Sequence, residues 1–241
     1  GIKVVSNQVC YSLLDQRAAG KMTELCLQHG IKLLAFGTVG GGFLSEKWLG
    51  KEEPLLNDEL TWSQMKYKRF VDQIGGWNKL QNLLQVLDQV AKKQEVGIAN
   101  VASRYMMDQP AVGGVIIGAR LGKSAHIEDN QKLFKLQIED QDKEKIKEVL
   151  NTFDPIPGDC GDEYRKPPFL TASGDLSHHV ESFPAPYPTV KGNDGRTKAL
   201  SGTIWEDIAG FSRAVRKGNR ISVSGTTATH GSFAMGGLDP A

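Results

Sequence analysis

The run Gly113-Gly114-Val115-Ile116-Ile117-Gly118-Ala119-Arg120 couples an apolar strand to a glycine turn and a cation. A helical segment carrying Asn130 follows, from Ser124 to about Leu133. A helix N-terminus offers unpaired N–H groups and the positive end of a dipole, so an anion can settle there. Gly118 lets backbone approach that anion closely, and Arg120 presents a planar, permanently charged fork suited to phosphate. Two readings fit these residues. One is a phosphate pocket at the C-terminal end of a strand; the other is a plain strand-to-helix turn with a solvated arginine.

The whole chain narrows the classes of function. Its 241 residues suffice for one large α/β domain or two small ones. A net charge of +1 argues against a nucleic-acid surface or a polybasic membrane patch. Cys10, Cys26 and Cys160 are odd in number and widely spaced, which suits a reduced cytoplasmic protein without a disulfide framework or a cysteine-based metal site. His178-His179 reads as a solvated pair rather than a metal site. No apolar run approaches the ~20 residues of a membrane span. Gly1 already lies inside the strand-like run Ile2–Val5, so the sequence reads as part of a longer chain.

The elements that must position the turn alternate along residues 1–155. Ile2–Val5 reads as a strand and Arg17–Gln28 as a helix with Met22, Leu25 and Cys26 inward. Gly30 ends that helix, and Ile31–Phe36 reads as a buried parallel strand. The glycine-rich loop Gly37-Thr38-Val39-Gly40-Gly41-Gly42 follows, then a long insertion from Lys47 to Trp77. Leu80, Leu83, Leu84, Leu87, Val90 and Ala91 repeat at core-facing helical spacing, as do Ile98, Val101, Ala102, Tyr105 and Met106. Val115–Ile117 is the third strand, and a last helix carries Ile146, Val149, Leu150 and Phe153. Such alternation predicts an α/β fold with parallel strands and helical crossovers, either barrel or doubly wound sheet.

Prolines crowd the stretch 156–200, which reads as a tail and linker. Beyond it, Phe211–Val215 and Ile221–Ser224 read as a hairpin turning at Lys217-Gly218-Asn219-Arg220.

Four segments together resemble the C-terminal part of an aldo-keto reductase, a (β/α)8 TIM barrel that reduces carbonyls with NADPH. They are Val5–Leu14, Leu34–Leu44, the Ile117–Arg120 turn with Glu128-Asp129-Asn130, and the Gly158–His178 tail. The resemblance implies a partial barrel, its last three strands and their helices, over residues 1–155. Residues 201–241 resemble the start of an α+β RidA/YjgF-like domain, through Trp205–Val215 and Val223-Ser224-Gly225-Thr226.

The resemblance also assigns roles. Gln8 would bond the nicotinamide carboxamide, and Phe36 would stack on its ring where many family members carry tyrosine. Gly37, Thr38 and Val39 would line the pyrophosphate, and the glycines that follow would let the loop close over it. Arg120, presented by Gly118 and Ala119, would meet the adenosine 2′-phosphate, favouring NADP over NAD. Lys123 and His126 would assist, and Asp129 and Asn130 would face the adenine. Each also fits a plainer role: Gln8 as a polar residue inside the barrel, Phe36 as core, Lys123 and His126 as solvated helix positions, Asp129 as a local cap. All fall at strand C-terminal ends, where such barrels build their sites.

No catalytic residue follows from the resemblance. The family's proton-donating tyrosine and its lysine, aspartate and histidine partners belong to the earlier barrel strands, and Tyr11, Tyr67 and Tyr105 do not match. The 241 residues alone are expected to reduce no carbonyl. Three functions stay open: an NADP-dependent reductase of small-molecule carbonyls, an enamine/imine deaminase fusion that oligomerises through its RidA-like part, and a nucleotide-binding half-barrel without turnover.

Overall fold

A computed structural model describes residues 3–55, 60–119, 126–162, 179–180, 187–225, 229–230 and 233–235. They divide between two compact units, residues 1–170 and 171–241.

The first unit is built on a parallel sheet of three strands, β1 (Ser6–Cys10), β2 (Lys32–Phe36) and β3 (Val112–Ile116), in the order β1-β2-β3. Helix α1 (Lys21–His29) connects the first two strands. Helices α2 (Trp62–Gln73), α3 (Trp77–Lys93) and α4 (Ile98–Met107) connect the second and third. Short α5 (Ile127–Gln131) and α6 (Asp140–Leu150) follow β3.

Strand β1 begins where the expected first strand ends. Val4 and Val5 are exposed, and the ladder runs from Ser6 opposite Lys32 to Cys10 opposite Phe36. The polar residues Ser6, Asn7 and Gln8 are exposed and only Val9 and Cys10 are buried, so pairing with β2 overrides strand propensity here. In β3 the glycines belong to the strand rather than preceding it. The register with β2 slips between Leu33 and Leu34, which pair with Val112 and Gly114, leaving Gly113 as the bulged residue. A Cβ there would stand 2.8 Å from that of Lys32, so glycine is what the bulge accommodates.

The core lies where the helices pack on the sheet. Leu80, Leu83, Leu84 and Leu87 of α3 are fully buried, as are Ile98, Val101, Ala102 and Met106 of α4. The first helix is a departure: Cys26 is buried, but Leu25 is 54% exposed and Thr23 takes its inward place, its hydroxyl donating to Ala18 O. Gly30 at φ 65° closes α1, and Ile31 N donates to Cys26 O.

An ion pair between a buried carboxylate and half-exposed lysines ties α3 to α6. The Asp142 carboxylate, 1% exposed, accepts from Lys93 Nζ at 2.9 and 3.0 Å and from Lys145 Nζ at 3.1 Å. The Lys93 hydrogen bond holds the Asp142 carboxyl below the usual carboxylate range, against the opposing effect of burial and with help from Lys145. A depressed carboxyl stabilises the fold above its unfolded pKa of about 3.9, and that contribution fades as pH falls through the lower folded value. Asp142→Asn is therefore expected to melt lower than the parent at neutral pH, with the gap closing in acid. A gap that stays constant from pH 7 to pH 2 would contradict this.

The second unit holds more structure than a linker and a lone hairpin. Strands β5 (Thr189–Lys191), β6 (Arg196–Ala199), β7 (Ala214–Lys217) and β8 (Arg220–Val223) form an antiparallel meander. The first hairpin uses the Gly192-to-Gly195 cluster as its turn, with Gly192 N donating to Arg196 O and Gly195 at φ 75°. The second closes on Gly218-Asn219, within the expected turn, and its first strand starts at Ala214, three residues after the expected Phe211. Gly218 takes the positive φ (59°) that tight hairpin turns demand. Short pairings also join β4 (His179–Val180), β9 (Thr229–His230) and β10 (Phe233–Met235).

Helix α7 (Ile204–Ala209) precedes β7, and a buried network fixes the turn into it. Glu206 accepts from Ser201 N (2.7 Å), Ser201 Oγ (2.8 Å) and Gly202 N (2.8 Å), while Arg213 Nε donates to Ser201 Oγ (2.8 Å). Burial pushes the Glu206 carboxyl up, but these hydrogen bonds outweigh it and leave it below the usual range.

Candidate functional site

The three parallel strands end level with one another. Cys10, Phe36 and Ile116 are aligned across the sheet, and two residues back Gln8, Leu34 and Gly114 form the preceding row. Every backbone segment leaving this edge carries a residue singled out from the sequence: Gln8 inside β1, Phe36 and Gly37 ending β2, and Gly118-Ala119 just past β3. Gln8, Gly118 and Ala119 are exposed, and Phe36 is half-buried. The structure thus brings an amide, an aromatic ring and open backbone to the C-terminal edge of a parallel sheet, where ligands of such folds collect.

The loop after β1 is locked. Ser12 and Asp15 exchange backbone hydrogen bonds at 3.1 Å, and Arg17 grips the Asp15 carboxylate with Nε (2.8 Å) and a terminal nitrogen (2.7 Å), both side chains buried.

The glycine loop after β2 is packed rather than free to close. Gly40 N donates to Gly37 O and Phe43 N to Gly40 O, winding Gly40–Gly42 into a short turn. Gly40 is buried against Leu14. Thr38 is buried, and its hydroxyl shares a 3.1 Å hydrogen bond with Ser103 of α4. That side chain therefore faces the core, and Thr38 can offer a ligand only its backbone. Val39 is half-buried.

Helix α2, inside the stretch read as an insertion, stands over this loop. A Cβ on Gly37 would lie 2.3 Å from the Tyr67 hydroxyl, and one on Gly41 2.8 Å from Ser63 O. Lys66 places its ammonium 5.1 Å from the centre of the Phe36 ring and 5.3 Å from that of Tyr67. Lys68, buried, pairs with Glu53 and Asp72 and holds the helix in place. Sequence reasoning missed these residues. The signal for the helix was there: Thr61 and Gln64 cap its start reciprocally, and Tyr67, Phe70, Val71 and Ile74 fall at core-facing spacing.

Arg120 and Lys123 lie outside the described residues. Helix α5 starts at Ile127, and His126 before it is exposed at φ 50°. Asp129 pairs with Lys132 at 2.9 Å, and its carbonyl accepts from Asn100 Nδ2 of α4 at 3.1 Å. Asn130 is half-buried, with its N–H bonded to His126 O. The Asp129 side chain thus pairs locally and its carbonyl anchors the segment to α4, while His126 is exposed. Among the described residues no cluster of histidine, cysteine or carboxylates could hold a metal, and no helix is long and apolar enough to cross a membrane.

The stretch after the glycine loop is pinned by Glu46, whose carboxylate accepts the first backbone N–H of α4, that of Ile98. Gly97 at the N-cap has no side chain to do this, so an acidic residue from another element takes the role. Glu46→Ala is expected to cost about 1–2 kcal/mol in urea unfolding. Glu46→Gln, which keeps the acceptor, should cost less; equal losses would show that the cap is not what Glu46 supplies.

The family model for the aldo/keto reductases matches residues 1–151. The chain belongs to the aldo/keto reductase family. Curated relatives agree. Flagellar radial spoke protein 5 of Chlamydomonas reinhardtii is 36% identical over 110 residues, covering 45% of this chain and 21% of that protein. Prostaglandin F synthase 1 of Bos taurus is 28% identical over 145 residues, covering 60% of this chain and 35% of the synthase. The chain therefore spans well under half the length of these relatives. Among solved structures, the glycerol dehydrogenase of Gluconobacter oxydans superposes with a TM-score of 0.51 at 17% identity, covering 66% of this chain and 46% of that one. That likeness concerns the fold alone.

Proposed function

We propose that this chain carries the cofactor-binding elements of an NADP-dependent carbonyl reductase. The observation that supports this reading is the level row of strand ends, which sets Gln8, Phe36, Gly37 and Gly118 along one edge. The residues present fit such a cofactor. A half-buried aromatic face suits a flat ring, an exposed amide suits a carboxamide, and nothing lies within 4 Å of where a Cβ would stand on Gly42 or Gly118, so backbone there is open to a phosphate chain. When bound, the cofactor supplies the hydride that a carbonyl carbon accepts.

On this reading Gln8 orients the carboxamide, Phe36 presents the ring, and Gly37, the Thr38 backbone and Val39 follow the pyrophosphate. Arg120, set by Gly118 and Ala119, takes the 2′-phosphate, with Lys123, His126, Asp129 and Asn130 around the adenosine. On this reading no proton donor is assigned among the described residues. Tyr11, the phenol next to the end of β1, is closed off from solvent, and burial, with Tyr105 and Cys160 beside it, pushes it up to about 12. Residues 1–155 then form the later barrel strands, and 156–200 run from a tail into strands β5 and β6 of the second unit. Residues 201–241 open a RidA-like domain, a reading supported by a short helix leading into an antiparallel hairpin. Three cysteines with no disulfide among the described residues suit a cytoplasmic setting.

Isothermal titration of the chain with NADPH and NADH tests this. Saturable binding with NADPH the tighter ligand is expected; no binding of either removes the reading.

A further inference from the structure

We propose that the first unit holds a ligand site apart from the row of strand ends, a cavity of about 230 Å3 that takes a small, neutral aromatic molecule the size of indole. The cofactor reading is not needed for it. Leu13 and Leu14 from the loop after β1, Ile74 at the end of α2, and Leu150, Phe153 and Ile156 at and beyond the end of α6 form its walls. A frame of bonds fixes the spacing of these segments. Asp154 N donates to Ile74 O at 3.0 Å, Lys79 pairs with the Asp154 carboxylate at 3.0 Å, and Arg17 donates to Asp159 O at 2.6 Å. The walls thus stand apart, and an occupant would supply the dispersion contacts that empty space forfeits. The polar groups that line the cavity are already engaged. Gln16 donates to Ser12 O, and Arg17 grips Asp15. The N–H groups of Phe153 and Asp154 are bonded to Leu150 O and Ile74 O, and Pro155 has none. Charge cancels as well, Arg17 against Asp15 and Lys79 against Asp154. An ionic ligand would lose its water here without gaining a partner, whereas the apolar walls favour a flat, uncharged ring. Apolar cavities of about 150 Å3 lined by leucine, isoleucine and phenylalanine bind benzene, so this larger one has room for a second fused ring.

Methyl NMR of the full chain, with leucine and isoleucine methyls labelled and indole as titrant, tests this. Saturable shifts are expected at Leu13, Leu14, Ile74, Leu150 and Ile156, with the exposed Leu25 and Leu27 unmoved. Benzoate, a flat ring that carries a charge, should bind at least about tenfold more weakly, because its carboxylate would be desolvated unpaired. Leu150→Trp fills the cavity from a half-buried position and should weaken indole at least about tenfold. Should that variant fail to fold, the titration of the parent chain with the two ligands still decides. Shifts confined to Leu25 and Leu27, no saturation, or equal affinity for indole and benzoate would each overturn the proposal.

Discussion

Gly37→Ala should destabilise the first unit by about 2–5 kcal/mol, while Gly42→Ala, in the same loop but facing open space, should cost only the backbone part. Both glycines have positive φ, 78° and 93°, where an L side chain pays roughly 1–2 kcal/mol. At Gly37 the new methyl would also sit 2.3 Å from the Tyr67 hydroxyl and 3.0 Å from its ring, an overpacking cost of about 1–3 kcal/mol. At Gly42 nothing lies within 4 Å. Urea unfolding of the two variants isolates the collision, and Gly37→Ala combined with Tyr67→Phe should recover part of the loss, since the hydroxyl is the nearest atom. Equal losses at positions 37 and 42, with no recovery in the double variant, would show that α2 does not clamp the loop.

Arg120→Ala should weaken NADPH binding about 10–100-fold and leave NADH nearly untouched. A charge-assisted contact to a phosphate contributes about 1.5–3 kcal/mol, and the 2′-phosphate is the only group that distinguishes the two cofactors. A pyrophosphate ligand would instead weaken both alike. Equal losses therefore reassign Arg120 within the site.

The parts of the fold legible in the sequence were those whose pattern is local. Leu80 to Ala91 repeats so densely at helical spacing that α3 was legible, and all six of its core-facing positions are buried. The ends of β2 and β3 were legible for a related reason, because apolar runs passing into glycine mark both strand and exit. Strand β1 was misplaced because Ser6, Asn7 and Gln8 carry no strand signal of their own; hydrogen bonds from Lys32 onward decide it. The hairpin of β5 and β6 was hidden by the prolines around it, since strands of three and four residues offer too few alternations to stand out. At the site, Gln8, Phe36 and Gly37 could be named because each belongs to a segment with its own signature. Lys66 and Tyr67 could not, because they reach Phe36 and Gly37 only through the path of α2, a tertiary fact. Thr38 was read as lining a ligand because nothing in sequence announces the Ser103 hydroxyl that turns it inward.

Amide hydrogen exchange of the chain with and without saturating NADPH tests the central claim most directly, because it reports where the cofactor sits as well as whether it binds. Slowed exchange is expected at residues 37–42 and 118–119, the backbone leaving the C-terminal edge of β2 and β3, with the N-terminal ends of the same strands unchanged. Protection confined to the opposite edge of the sheet, or to the second unit, would contradict the account.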